Sequence, residues 1–194
     1  MSEQNWTTIV KSENKILDID IKGLRNCKDL IFLFVRRSFV AKYKQTILGP
    51  AWAVIQPFFT TVVYSVFFGT IAGLGASGVP NFIFYLSGTI IWTLFANCLT
   101  ETSHTFTGNA GILGKVYFPR LTTPISNVLS SIIQFGVQLL LVFGFLAYYM
   151  CIGEVEPNWL LWLAIPIEII HLGMFGLGVG IIISSLTTKY RDLT

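Results

Sequence analysis

Long parts of the chain show no polar and apolar alternation. No residue between Lys44 and Glu101 is charged, and the one turn-rich break in that run is "GLGASGVPN", Gly73 to Asn81. Each side of the break can cross a bilayer once, since about 20 apolar helical residues cover about 30 Å of hydrocarbon. A second uncharged run extends from Leu121 to Gly153, and an apolar segment from Asn158 to Leu186 is interrupted only by Glu168 and His171. Continuously apolar runs predict helices, whereas barrel strands alternate in short segments. The expected fold is an all-α integral membrane protein with four transmembrane helices, at 51–74, 81–100, 124–150 and 158–186.

Ahead of the first span the pattern changes period. At 100° per residue, Phe32, Val35, Phe39, Val40, Tyr43 and Ile47 fall on one side, and Arg37, Ser38, Lys44 and Gln45 fall on the other. Arg36 breaks the sidedness and has to snorkel from the apolar face. The pattern predicts a basic amphipathic helix over 30–49 in the cytoplasmic interface, with Phe39 and Tyr43 in the acyl boundary and Arg36, Arg37, Lys42 and Lys44 near headgroups. "LGP" then makes an elbow into the first span, because Gly49 bends freely and Pro50 suits a helix's first position. A plainer reading is that these cations only orient the chain. The chain thus divides into a cytoplasmic N-terminal segment (1–29), the interfacial helix (30–49) and a transmembrane domain (50–194).

Composition agrees: 53% of residues are hydrophobic and 12% charged, which excludes a soluble domain. Nine of the 13 Lys and Arg residues lie between Lys11 and Lys44; Lys115 and Arg120 lie between spans two and three, and Lys189 and Arg191 follow span four. The positive-inside rule therefore puts both ends and the 101–123 loop in the cytoplasm, with the N-terminus inside. The polar first 50 residues do not resemble a signal peptide. Cys27, Cys98 and Cys151 share no metal spacing, and no ligand set for a metal is expected.

Within the 101–123 loop, "GNAGILGKVYFPR" superficially suggests a phosphate loop. Five residues rather than four separate Gly108 from Gly114, Val116 replaces the required Ser or Thr, and no strand precedes it. No nucleotide site is expected elsewhere, so any energy has to come from a partner. The loop is too apolar to face only water, so it either docks on a partner or folds against the membrane surface. In span four, Glu168 and His171 share a helical face near mid-membrane and should face protein or water, as a substrate contact, a proton-sensitive element or a packing pair. Gly176 with Gly180, and Gly69 with Gly73, have the small-xxx-small spacing of close helix packing. Aromatic residues make up 14% of the chain and suit an interfacial belt, or in part a path on which sugar faces stack; Tyr64, Tyr85 and Trp92 are candidates.

Three stretches, "YKQTILGPAWAVIQPF" (43–58), "NAGILGKVYFPR" (109–120) and "KYRDL" (189–193), in this order between these spans, resemble the permease subunit of ABC-2-type transporters. The similarity is to the branch that exports cell-surface polysaccharides such as O-antigen, capsule and teichoic acid. The resemblance implies a homodimeric permease in the bacterial inner (plasma) membrane, paired with a separate cytoplasmic ABC ATPase that carries ATP and Mg, and moving a lipid-linked glycan. This chain itself would need no cofactor and would be no enzyme. The resemblance also makes the loop a coupling element, with Asn109, Leu113, Lys115, Val116, Tyr117, Phe118, Pro119 and Arg120 meeting the ATPase. It implies six spans, so a chain ending at Thr194 is expected to be a fragment.

Two other functions stay open. A drug or small-lipid exporter of the same superfamily fits the same motifs. A membrane-embedded lipid or glycosyl transferase needs clustered acids to hold a metal at a phosphate, whereas Glu101, Glu154, Glu156, Glu168 and Asp192 are scattered. No feature points to nucleic acid.

Overall fold

The computed structural model describes Leu24 and residues 27–44, 48–116 and 118–189, and of Leu113, Trp159, Leu161, Thr188 and Lys189 only the backbone. The expected N-terminal segment up to Gly23, as well as Gln45, Ile47, Tyr117 and most of "KYRDL", lies outside the described residues. Among the described residues every regular element is helical. Helix α1 spans Lys28–Tyr43. A 3-10 turn, Gly49–Ala51, leads into α2, Trp52–Tyr64, which continues as a π-helical segment, Ser65–Ile71. Then come α3 (Asn81–Ser103), the single turns α4 (Thr105–Gly108) and α5 (Ala110–Leu113), the long α6 (Thr122–Ile152), and α7 (Ala164–Lys189) after a 3-10 stretch, Trp159–Leu163.

Four of these stretches are long and apolar enough to cross a membrane: Gly49–Ile71, Asn81–Ser103, Thr122–Ile152 and Ala164–Thr187. Local chemistry explains where they start and stop. Gly49 has φ +51, a conformation that side chains with a Cβ rarely adopt, and Pro50 sits in the first turn where its missing N–H loses nothing. At the other end of α6, Gly153 adopts the left-handed conformation, and the Gly153 and Glu154 N–H groups donate to Met150 O and Tyr149 O, both at 3.1 Å.

Helix α3 is the hub, packing most extensively on α7 and then on α6. The α7 contact rests on two glycines. A Cβ on Gly176 would lie 2.7 Å from Cys98 Cβ, and one on Gly180 would lie 2.6 Å from Thr102 Cβ, so the backbones meet closer than any side chain allows. Gly69 and Gly73 do not form such a seam. Gly69 backs onto the Asn81 side chain, with no room for a Cβ, whereas Gly73 has φ +65 with open space beside it and serves the exit turn. Leu86, Ile90, Leu94, Cys98, Val128 and Phe135 make the apolar core. Toward the Ser103 end the buried side chains become hydroxyls: Thr102, Thr105, Thr122, Thr123, Ser126 and Ser131. Several donate to a carbonyl three or four residues back, as Thr105 Oγ1 does to Glu101 O (2.9 Å) and Ser126 Oγ to Thr123 O (2.7 Å), which lowers the cost of burying them.

Candidate functional site

A groove of about 710 Å³ runs between α2 and α3 and is closed from behind by α6. Three ladders of polar or aromatic residues at four-residue spacing converge on it: Gln56, Thr60 and Tyr64 from α2, Tyr85, Thr89 and Thr93 from α3, and Gln134 with Gln138 from α6. A four-residue step returns to the same helical face, so each ladder points one way. Trp92 and Phe68 add ring surface; Tyr64 and Phe68 meet edge to face at 5.7 Å, and Phe68 and Tyr85 lie 6.4 Å apart. Thr89 Oγ1 and Thr93 Oγ1 donate to Tyr85 O and Thr89 O, both at 2.7 Å, which leaves the hydroxyl lone pairs as acceptors along the wall.

Pro57 interrupts α2 inside the span and lines the same groove. Its missing N–H orphans the carbonyl four residues back, that of Ala53. In hydrocarbon such an oxygen needs a partner. Gln138 Nε2, on a side chain only 2% exposed, donates to Ala53 O at 3.2 Å and supplies one. Other rings pack between the helices outside the groove: Phe82 and Phe145 lie 4.6 Å apart, and Phe58 stacks on Phe145 at 6.1 Å.

At the Ser103 end, α1 lies against α6 rather than apart from the bundle. Phe34, Val35 and Tyr43 are buried and Phe39 is half-buried, its ring 4.8 Å from Tyr43. The side carrying Phe39 and Tyr43, expected in lipid, therefore faces protein. Burial pushes the Tyr43 phenol above its ordinary pKa, so it stays neutral. The outward side mixes Phe32 and Leu33 with Arg36, Arg37 and Lys44. The wheel misses this because it divides apolar from polar, and a helix at a protein–lipid boundary has two apolar faces. Lys42 Nζ reaches Gln134 Oε1 at 2.9 Å and Glu101 Oε1 at 3.7 Å, which ties α1 to α6 and α3 at the foot of the groove.

The 101–123 loop is partly ordered by Asn127, whose Nδ2 donates to Glu101 O and to Thr105 Oγ1, both at 2.8 Å. Asn109 Nδ2 donates to Thr105 O at 2.9 Å and joins the two short turns. Lys115, Val116 and Arg120 point outward, with Val116 58% exposed, and Pro119 is half-buried. Phe118 turns inward: it is 8% exposed and packs on Phe34 of α1, with ring centroids 5.8 Å apart. It is therefore a joint between loop and interfacial helix, not an open anchor. Tyr117 lies outside the described residues, as does the side chain of Leu113.

Glu168 and His171 do not join the groove. They pair at 3.8 Å with both side chains more than half exposed. Along α7, Glu168 follows Ala164 by about one turn, roughly 6 Å at about 1.5 Å per residue. A carboxylate this near the start of a helix lies toward the positive end of the helix dipole, which lowers the cost of its charge. Among the described residues no three His, Cys, Asp or Glu side chains come together as a metal site.

Four apolar spans, three of which enclose a groove of polar and aromatic rungs, define a polytopic helical membrane protein. The sequence profile of the ABC-2 type transporter family matches residues 29–194, and the chain belongs to that family. It is 30% identical over 166 residues to an O-antigen export system permease protein RfbA of Klebsiella pneumoniae, covering 85% of this chain and 61% of that relative. A protein of the same name from Myxococcus xanthus is 26% identical over 176 residues, covering 89% of this chain and 64% of its own length. The chain thus spans about three fifths of the length of these relatives.

The residues that build the groove were largely missed from sequence. Gln56, Thr60, Thr89, Thr93, Asn97, Gln134 and Gln138 look like isolated polar interruptions when each span is scored for hydropathy. Their four-residue spacing within each span was the available signal.

Proposed function

We propose that this chain is the membrane-spanning part of a permease that exports lipid-linked cell-surface polysaccharide of the O-antigen type across the bacterial inner membrane. A second copy completes the passage, and a separate cytoplasmic ATPase, holding ATP and Mg, docks on the 109–120 loop. The N-terminus is cytoplasmic, because Lys42, Lys115 and Arg120 all gather at the Ser103 end of the bundle. The observation that carries the reading is the groove. Its hydroxyl and amide rungs suit the hydroxyls of a sugar chain, and its rings suit sugar faces without holding any one sugar tightly. A drug exporter would have little use for so regular a polar ladder.

Replacing Tyr64, Tyr85 and Trp92 together by Leu in the full-length permease keeps the groove walls apolar but removes the rings. Export of surface glycan should fall severalfold at unchanged protein level and unchanged ATPase co-purification. Normal export would refute the groove as the glycan's path. Docking is tested separately by Val116→Asp with Arg120→Glu. A buried anchor is worth about 2 kcal/mol, roughly thirtyfold in affinity, so the ATPase should be lost on purification while insertion stays normal.

A further inference from the structure

A second cavity, of about 480 Å³, opens between α3, α6 and α7, at the end of the bundle away from α1. Its walls are apolar, among them Ile90, Leu94, Phe135, Leu139, Ile165 and Ile169. The Trp162 and Phe143 rings, both lining it, stack at 5.1 Å with their planes 7° apart. Its polar lining groups are Ser87, Asn158 and Glu168. Ser87 donates to Phe84 O at 2.9 Å, and Asn158 Oδ1 accepts from the Leu160 N–H at 3.1 Å. Glu168 is thus the charged group at the cavity, half exposed beside His171.

The surroundings carry one sign of charge. Between Arg120 and Lys189 the chain has no Lys or Arg, and its charged residues there are Glu154, Glu156 and Glu168. A cavity of this size is in the range that holds small molecules. In a bilayer the molecules at hand are lipids, and a hydrocarbon tail gains little by leaving other tails for apolar side chains. Selection among lipids must then come from the headgroup, and carboxylates with no Lys or Arg in their segment, Glu168 standing beside the His171 imidazole, repel an anionic headgroup and attract an ammonium.

We propose that this cavity holds an acyl chain of a zwitterionic lipid with a primary ammonium headgroup, of the phosphatidylethanolamine kind, whose ammonium contacts Glu168. The site lies apart from the groove and does not depend on what the groove carries. Trp162 is the built-in reporter.

The full-length permease, with every tryptophan other than Trp162 replaced by Phe, is reconstituted into vesicles of equal phosphatidylethanolamine and phosphatidylglycerol. One lipid or the other carries brominated acyl chains. Brominated phosphatidylethanolamine should quench Trp162 more strongly, with an apparent preference of about fivefold, the scale of a single charge contact at a membrane surface. Glu168→Gln should bring that preference close to unity, and Ile169→Phe, which fills the cavity, should reduce quenching by both lipids. Equal quenching by the two lipids in the unaltered chain, or a preference that survives Glu168→Gln, overturns the proposal. No quenching by either overturns it too, since another part of the protein or a second copy would then cover the cavity.

Discussion

Helix α3 has two seams, and they are built in opposite ways. Against α7 the backbones approach until a single methyl on Gly176 or Gly180 would collide with Cys98 or Thr102. Against α2 a groove of about 710 Å³ is left, edged by amides, hydroxyls and rings. Helices in lipid gain little from burying apolar surface against each other, so a seam holds through close van der Waals contact or through polar contacts. The first seam uses contact and fixes the two helices as a unit. The second leaves a hollow, with α2 tied to α6 behind it by the Gln138–Ala53 hydrogen bond, so one helix carries a closed seam and an open one.

The contrast breaks most sharply at Gly180. Gly180→Leu forces a branched side chain into Thr102 and Leu99 O, and should destabilise the detergent-solubilised full-length protein by about 3 kcal/mol or more. Gly178, two residues away with nothing within 4 Å of its Cβ position, is the control: Gly178→Leu should leave the melting temperature nearly unchanged. Equal melting of the two variants would mean that the α3–α7 seam is not close-packed.

A smaller effect tests how the open seam is held. Gln138→Leu should cost about 1–2 kcal/mol, because the Ala53 carbonyl loses its donor. In a Pro57→Ala background, where the helix regains its own N–H donor, the same change should cost close to nothing. A double-mutant cycle on thermal stability reads the difference, and identical costs in both backgrounds would remove the proline from the account.

The smallest effect is expected at the foot of the groove. Lys42 and Glu101 are about half exposed at 3.7 Å, so Lys42→Met should shift stability by no more than about 0.5 kcal/mol. A melting shift several times larger would mean that α1 is pinned to the bundle mainly through this lysine.

How much of this was legible follows from which signals are additive along the chain. Charge-free runs mark the four spans because every residue of a span meets hydrocarbon or protein, and their summed apolarity survives a few exceptions. The exceptions themselves are what build the groove, and a sum discards them: Thr89 and Thr93 read as noise until their common face is drawn. The fourth span was started about a turn and a half before its α-helix because the 3-10 stretch Trp159–Leu163 is as apolar as α7. Phe118 and Tyr43 read as surface residues because their partners, on α1 and α6, lie far away in sequence.

One small contact couples two segments that have no reason to depend on each other in sequence. The Asn81 side chain, at the start of α3, occupies the space that a Cβ would need at both Gly69 and Gly75, one in the π-helical end of α2 and one in the turn. Positions 69, 75 and 81 therefore share a fixed volume. Among related permeases a larger residue at 69 or 75 should appear only together with a smaller one at 81. A library randomised at all three positions should return survivors that trade size between them instead of tolerating any position alone.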